Sequence, residues 1–179
     1  MTLRIAFGGK MGSGKDTAAC YLRDKHQGVI RSFAAPLYDI LHYAQKVCGF
    51  KEQKDRRFLQ FIGTEWARSQ DPDIWIKIAL KDTDNGNMFI SDVRFHNELN
   101  ALQKAGWVCV KIIRDHQSLR EGTGSTEHSS EKELDSIRDD EWDYIINNDK
   151  DLCQFYTKLD KMIINIKNAR DTNYIHSDS

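Results

Sequence analysis

The segment Gly9-Lys10-Met11-Gly12-Ser13-Gly14-Lys15 constrains this chain more than any other. It follows a short apolar run, Leu3 to Phe7, that reads as a buried strand, and it opens Lys15 to Lys25, which reads as a helix. The pattern is G-x-x-x-x-G-K in the strand-turn-helix setting that gives it meaning. Glycines let the backbone curl so that several N–H groups point inward, and the helix N-terminus adds partial positive charge. Such a loop cradles the phosphates of a nucleoside triphosphate. Lys10, Met11, Gly12, Ser13, Gly14, Asp16 and Thr17 are the candidate ATP contacts, and Lys15 is the catalytic cation for the outer phosphates. One departure matters. The Ser or Thr that usually follows the lysine is Asp16 here, with Thr17 next. Hydroxyl ligation of magnesium from position 16 is therefore lost, and Mg²⁺ is expected through Thr17, or through Asp92 on a later strand, by way of water.

Strands and helices alternate along the rest of the chain. Val29 to Ala34 reads as a second strand, and Pro36, at a helix N1 position, opens a helix with Leu37, Ile40, Leu41, Ala44 and Val47 at helical spacing. Arg56 to Ser69 reads as one helix with Phe58, Leu59, Ile62 and Trp66 on one side, and Asp73 to Lys81 as a shorter one. A polar turn, Asp82 to Asn87, leads to a third strand, Met88 to Val93. Asn97 to Lys104 is helical and stops at Gly106, before a fourth strand from Trp107 to Ile113. Asp115 to Ser130 is polar, with Gly122 and Gly124, and reads as a mobile lid. Ser130 and Glu133 form a candidate capping box beyond it. Tyr144 to Ile146 is a fifth strand, and the last helix places Leu152, Phe155, Tyr156, Leu159, Met162, Ile163 and Ile166 on its inner face. The polar tail from Asn168 is expected to fray.

This alternation predicts an α/β class: a three-layer α/β/α P-loop fold with a mostly parallel five-stranded sheet and a helical lid. A single domain is expected over residues 1–167, with a helical segment at about 36–81, the lid at about 115–130 and a tail at 168–179. Ligands in such sheets bind beyond the carboxyl ends of strands, where the Gly9 turn, Asp92 and Arg114 fall.

Composition narrows the function. A length of 179 residues suits one core, and a GTPase would also show an N-K-x-D motif, which is absent. With 26 basic against 27 acidic residues, the chain lacks the charge balance of a nucleic-acid binder. Cys20, Cys48, Cys109 and Cys153 include no C-x-x-C pair and read as reduced, packed thiols. No histidine has a partner at metal-ligand spacing, so no zinc is expected. With no apolar run of membrane length and no leader before the first strand, a cytoplasmic protein is expected.

A kinase that moves phosphate between two anions needs several cations, and Arg grips phosphate bidentately. Arg56, Arg57, Arg68, Arg94, Arg114 and Arg120 are the arginines to weigh, each of which alone is ordinary surface charge. The runs Arg57-Phe58-Leu59-Gln60-Phe61-Ile62-Gly63-Thr64-Glu65-Trp66 and Asp71-Pro72-Asp73-Ile74-Trp75 stand with Ser13-Gly14-Lys15-Asp16-Thr17. Phe33-Ala34-Ala35-Pro36-Leu37, Asp92-Val93-Arg94-Phe95-His96-Asn97-Glu98 and His128-Ser129-Ser130-Glu131 complete the set. In this order the chain resembles the deoxynucleoside monophosphate kinases of bacteriophages and large DNA viruses, from about residue 3 to residue 160.

The resemblance implies transfer of phosphate from ATP to a deoxynucleoside 5′-monophosphate with Mg²⁺. It implies that Arg57 holds the acceptor phosphate, that Gly63 and Thr64 offer backbone and hydroxyl groups to the same nucleotide, and that Pro36 and Leu37 close the base pocket. Arg68 joins this acceptor set. Trp75 would stack on or wall the base, or else be core; Trp66, Trp107 and Trp142 read as core. Asp92, Arg94 and Glu98 would contact the acceptor or the magnesium, and Arg114 and Arg120 would cover the transferring group. Lys15, Asp92, Arg94 and Arg120 form the candidate catalytic set. Partners are small nucleotides, with no nucleic-acid polymer and no membrane; a homodimer stays open. Phosphomevalonate and dephospho-coenzyme A kinases are alternatives, as is a nucleotide-binding regulatory module that does no transfer.

Overall fold

Ile5, Ala6 and Phe7 in β1 (Arg4–Gly8), Met88, Phe89 and Ile90 in β3 (Asn87–Val93), and Cys109, Val110 and Ile112 in β4 (Val108–Ile113) are all buried. Near-continuous apolar strands of this kind belong to a parallel sheet covered by helices. A computed structural model describes residues 2–81, 86–114 and 129–175, without the side chains of 129–132 and 171–175. It orders the strands β2-β3-β1-β4-β5, with β2 at Gly28–Arg31 and β5 at Tyr144–Asn147. β1 is parallel to both β3 and β4, and β4 is parallel to β5. The chain therefore builds outward in two directions from β1, and the turn leaving β1 opens at the switch point where such sheets bind ligands. The α/β/α P-loop class read from the sequence is the class of this fold.

The core of this sheet is closed by α1 (Lys15–His26), through Ala18, Ala19 and Leu22, and by α8 (Leu152–Ile175), through Phe155, Leu159, Met162, Ile163 and Ile166. Each large apolar side chain so buried contributes ~1.5–3 kcal/mol. All four cysteines are free, and burial pushes the Cys109 thiol up, so it packs as a small hydrophobe. Among the described residues no helix is long and apolar enough to cross a membrane.

The chain divides into two compact units. One comprises Met1–Ile30 and Gly86–Ser179, with the core just described. The other is Arg31–Asn85, which holds α2 (Ala35–Cys48), α3 (Arg56–Gln60), a π-helical turn (Phe61–Trp66), α4 (Ala67–Gln70) and α5 (Ile74–Ala79). The helical segment at 36–81 lies within it.

Several elements depart from the sequence pattern. The second strand stops at Arg31, because the Ser32 hydroxyl accepts the Ala34 N–H and turns the chain into α2. Pro36 consequently sits second, not first, in that helix, where its missing N–H is still harmless. The single helix expected over 56–69 is broken in its middle by the π-helical turn around Gly63. Trp66 is 50% exposed rather than core, whereas Trp107 and Trp142 are buried. Leu152 is 54% exposed rather than on the inner face, and α8 continues to Ile175 instead of fraying at Asn168. α6 (His96–Lys104) stops as expected, with Gly106 at φ +76°. α7 (Ser129–Ser136) begins one residue before Ser130, which therefore lies inside the helix instead of capping it, and the Ser130 side chain lies outside the described residues. So do the turn at 82–85 and the lid at 115–128, with Arg120 and His128.

Candidate phosphate-binding site

The turn after β1 depends on glycine at both ends. Gly14 has φ +108°, and a Cβ there would come within 2.5 Å of Asn148 Nδ2. Gly9 has φ +140°, and a Cβ there would lie 2.3 Å from the Ile112 carbonyl oxygen. Neither position admits a side chain without displacing its neighbours. The Ser13 N–H donates to the Lys10 carbonyl at 3.1 Å, and Lys15 Nζ donates to the same carbonyl at 2.8 Å. Lys15 is only 9% exposed, so its charge is concentrated on the loop.

Beside this loop lies a cavity of about 290 Å³, lined by Gly12, Gly14, Lys15, Asp16, Thr17 and Arg114, with Asn148, Lys150 and Leu152 completing the wall. Among the described residues, three side chains in that lining are cations, Lys15, Arg114 and Lys150, against one carboxylate, Asp16. That balance, next to the N-terminus of α1, suits a polyphosphate. Ser13 Oγ is buried and has no hydrogen-bond partner among the described residues, a polar atom of the loop left for a ligand. Lys10 is exposed and pairs with Asp135 of α7 at 3.1 Å; Met11 is also exposed.

β3 supplies a second part of the same unit. The register of β1 on β3 runs from Ala6 opposite Ile90 to Gly8 opposite Val93, so β3 carries one extra residue at Ser91–Asp92. Such a bulge breaks strand alternation and re-aims side chains. Ser91 is buried and its hydroxyl donates to Asp16 Oδ1 at 2.7 Å. Asp92 and Arg94 are half-buried at the carboxyl end of the strand. Glu98 is 1% exposed, and its carboxylate accepts the backbone N–H groups of Arg94 at 2.8 Å and Phe95 at 3.1 Å. Placed at the third position of α6, it caps that helix start.

Within Arg31–Asn85 the candidate acceptor residues gather around Gly63. A Cβ on Gly63 would lie 3.1 Å from Leu37 Cδ1, so Leu37 packs directly on this glycine. The Trp75 indole N–H donates to the Gly63 carbonyl at 2.8 Å, and Trp75 is 3% exposed. That corrects the base-stacking expectation: no ring face is open, and the indole instead braces the π-helical turn. Thr64 and Pro36 are half-buried, and Arg57 is exposed in the first turn of α3, whose start Asp55 caps by accepting the Phe58 N–H. Arg68 is half-buried and donates to the Pro72 carbonyl at 3.1 Å.

Ser91, Asn148 and Lys150 escaped the sequence reading. Asn148 is buried, donates Nδ2 to the Ser13 carbonyl at 2.8 Å, and gives its backbone N–H to Ile113. It follows β5 directly, and the rule that ligands bind past strand ends was the signal available for it. Asp16 and Thr17 put hard oxygen donors on the cavity wall, which is the donor chemistry magnesium takes.

Residues 51–159 match the sequence model of the family described as deoxynucleotide monophosphate kinase. Over 191 aligned residues the chain is 31% identical to an Acanthamoeba polyphaga mimivirus protein carrying that same description, covering 89% of this chain and 94% of that one. It is 34% identical over 142 residues to the uncharacterized protein ORF77 of Ictalurid herpesvirus 1 (strain Auburn), covering 75% of this chain and 60% of that protein. A crystal structure of shikimate kinase from Bacteroides thetaiotaomicron superposes with a TM-score of 0.48 at 13% identity, over 92% of this chain and 98% of that one.

Proposed function

Because the chain belongs to the deoxynucleotide monophosphate kinase family, we propose that it transfers the γ-phosphoryl group of ATP to a deoxynucleoside 5′-monophosphate, giving the deoxynucleoside diphosphate and ADP. The observation that carries this reading is the cationic cavity formed by the glycine loop, Lys15 and Arg114 in a chain of that family.

An acceptor phosphate oxygen attacks the γ-phosphorus, and the bond to the β,γ-bridging oxygen breaks. The attacking oxygen is already ionised at neutral pH, so no strong base is needed. Catalysis is then positioning and charge stabilisation. Loop amides and Lys15 hold the donor phosphates, and Arg114 meets charge on the transferring group. Lys150 adds a further cation on the same wall. Thr17 or Asp92 would hold magnesium through water, and the ion would supply positive charge against the donor phosphates. Arg57 and Thr64 bind the acceptor, with Leu37 against its base. The Gly63 carbonyl accepts the Trp75 indole N–H, which fixes the turn that carries Thr64.

The test is ADP release measured with each deoxy- and ribonucleoside monophosphate in turn. Turnover is expected only with an acceptor present, and with at least one deoxynucleotide among the substrates. ATP hydrolysis that ignores every monophosphate would overturn the assignment.

A further inference from the structure

Asp16 occupies the position where a P-loop ordinarily carries a hydroxyl, and among the described residues it is the one carboxylate in the cavity lining. It is exposed, yet it is not left to rotate freely: the buried Ser91 hydroxyl holds Oδ1 at 2.7 Å. Ser91 reaches it from the point where β3 carries an extra residue. A carboxylate fixed on the wall of a polyphosphate cavity repels its ligand unless a cation lies between them. Among the described residues the hydroxyl donor on Oδ1 leaves Oδ2 and the remaining lone pairs open, and oriented carboxylate oxygens are what hard divalent cations take. The buried, unpartnered Ser13 Oγ lies on the same loop.

We infer that Asp16, oriented by Ser91, is the residue through which this chain binds a magnesium-class divalent cation on the phosphates of its nucleotide. Ser91 is a positioning residue, acting through the hydrogen bond it donates. The assignment extends the magnesium site beyond Thr17 and Asp92, and it rests on the reading of the loop as the ATP site. The competing role for Asp16 is electrostatic support of α1, whose first turn it occupies. The two roles predict different responses to metal. Support of the helix affects nucleotide binding alike with and without the cation. A cation ligand makes the two diverge: loss of its charge relieves repulsion of bare ATP and weakens binding of the ATP–magnesium complex.

Calorimetric titration of the full chain with ATP, once in excess EDTA and once in excess Mg²⁺, gives the ratio of the two dissociation constants. Asp16→Asn keeps the side-chain shape and an oxygen for Ser91. It is expected to bind metal-free ATP at least as tightly as the parent chain, while the ratio falls ~10–100-fold. Ser91→Ala should lower the ratio in the same direction, and Ser91→Thr, which retains the hydroxyl, should restore it. Asp16 is exposed, so its variant carries the test even if Ser91→Ala fails to fold. If Asp16→Asn changes both constants by the same factor, or changes neither, the cation assignment is overturned while the ATP site stands. If the parent chain binds ATP under neither condition, the ATP site falls and this assignment falls with it.

Discussion

At the scale of single residues, the loop is held from outside itself. Asn148 donates to the Ser13 carbonyl, and its amide nitrogen fills the space a Cβ on Gly14 would need, so each residue explains the other. Asn148→Ala leaves that buried carbonyl unmatched, at ~1–3 kcal/mol. The melting temperature should fall, and the ATP KM should rise roughly tenfold while the acceptor KM holds. If only the melting temperature moved, Asn148 would support the fold and not the donor site. Gly12, Gly14, Lys15, Asp16, Thr17 and Arg114 were legible in the sequence because the first five fall within one six-residue motif and Arg114 follows a strand end. Asn148 and Ser91 were not, because nothing local distinguishes a polar residue that reaches a loop 135 or 75 positions away. The capping role of Glu98 was hidden for a related reason: it shows only when α6 is known to start at His96, after Phe95, a residue type without a capping side chain.

Among the elements, the strands were legible to within a few residues, because runs such as Ile5-Ala6-Phe7 and Met88-Phe89-Ile90 are continuously apolar. The helix around Gly63 was not. Its spacing of Phe58, Leu59 and Ile62 fits an ordinary helix, and a π-helical turn depends on a tertiary partner that spacing cannot reveal. That partner is Trp75, whose indole N–H takes the Gly63 carbonyl. Trp75→Phe keeps most of the buried ring and removes the donor. It should lower stability by ~1–3 kcal/mol, read by denaturant or thermal unfolding, because a buried carbonyl loses its partner. If the turn shapes the acceptor site, the acceptor KM should rise while the ATP KM stays within about twofold. A stable variant with both constants unchanged would show that the turn is independent of Trp75.

The whole molecule separates its candidate donor and acceptor residues by unit. The glycine loop, Lys15 and Arg114 belong to Met1–Ile30 with Gly86–Ser179, and Arg57, Gly63 and Thr64 to Arg31–Asn85. This division predicts a division of kinetic constants. Arg57 is exposed, so Arg57→Ala should spare folding. A charge-assisted bond to phosphate is worth ~1.5–3 kcal/mol, which corresponds to a rise in the acceptor KM of roughly tenfold to somewhat over a hundredfold. The ATP KM should change little, because backbone amides and Lys15 build that site. Lys15→Met is the counterpart: it removes the charge, keeps most of the side-chain length, and should cut kcat ~10²–10³-fold. Steady-state kinetics with each substrate varied against saturating partner separates the two variants. Should Arg57→Ala raise the ATP KM and leave the acceptor constant in place, the assignment of the two nucleotides to the two units would be reversed. Should it move neither, Arg57 would be solvated surface charge, and the acceptor phosphate would have to be held by another cation.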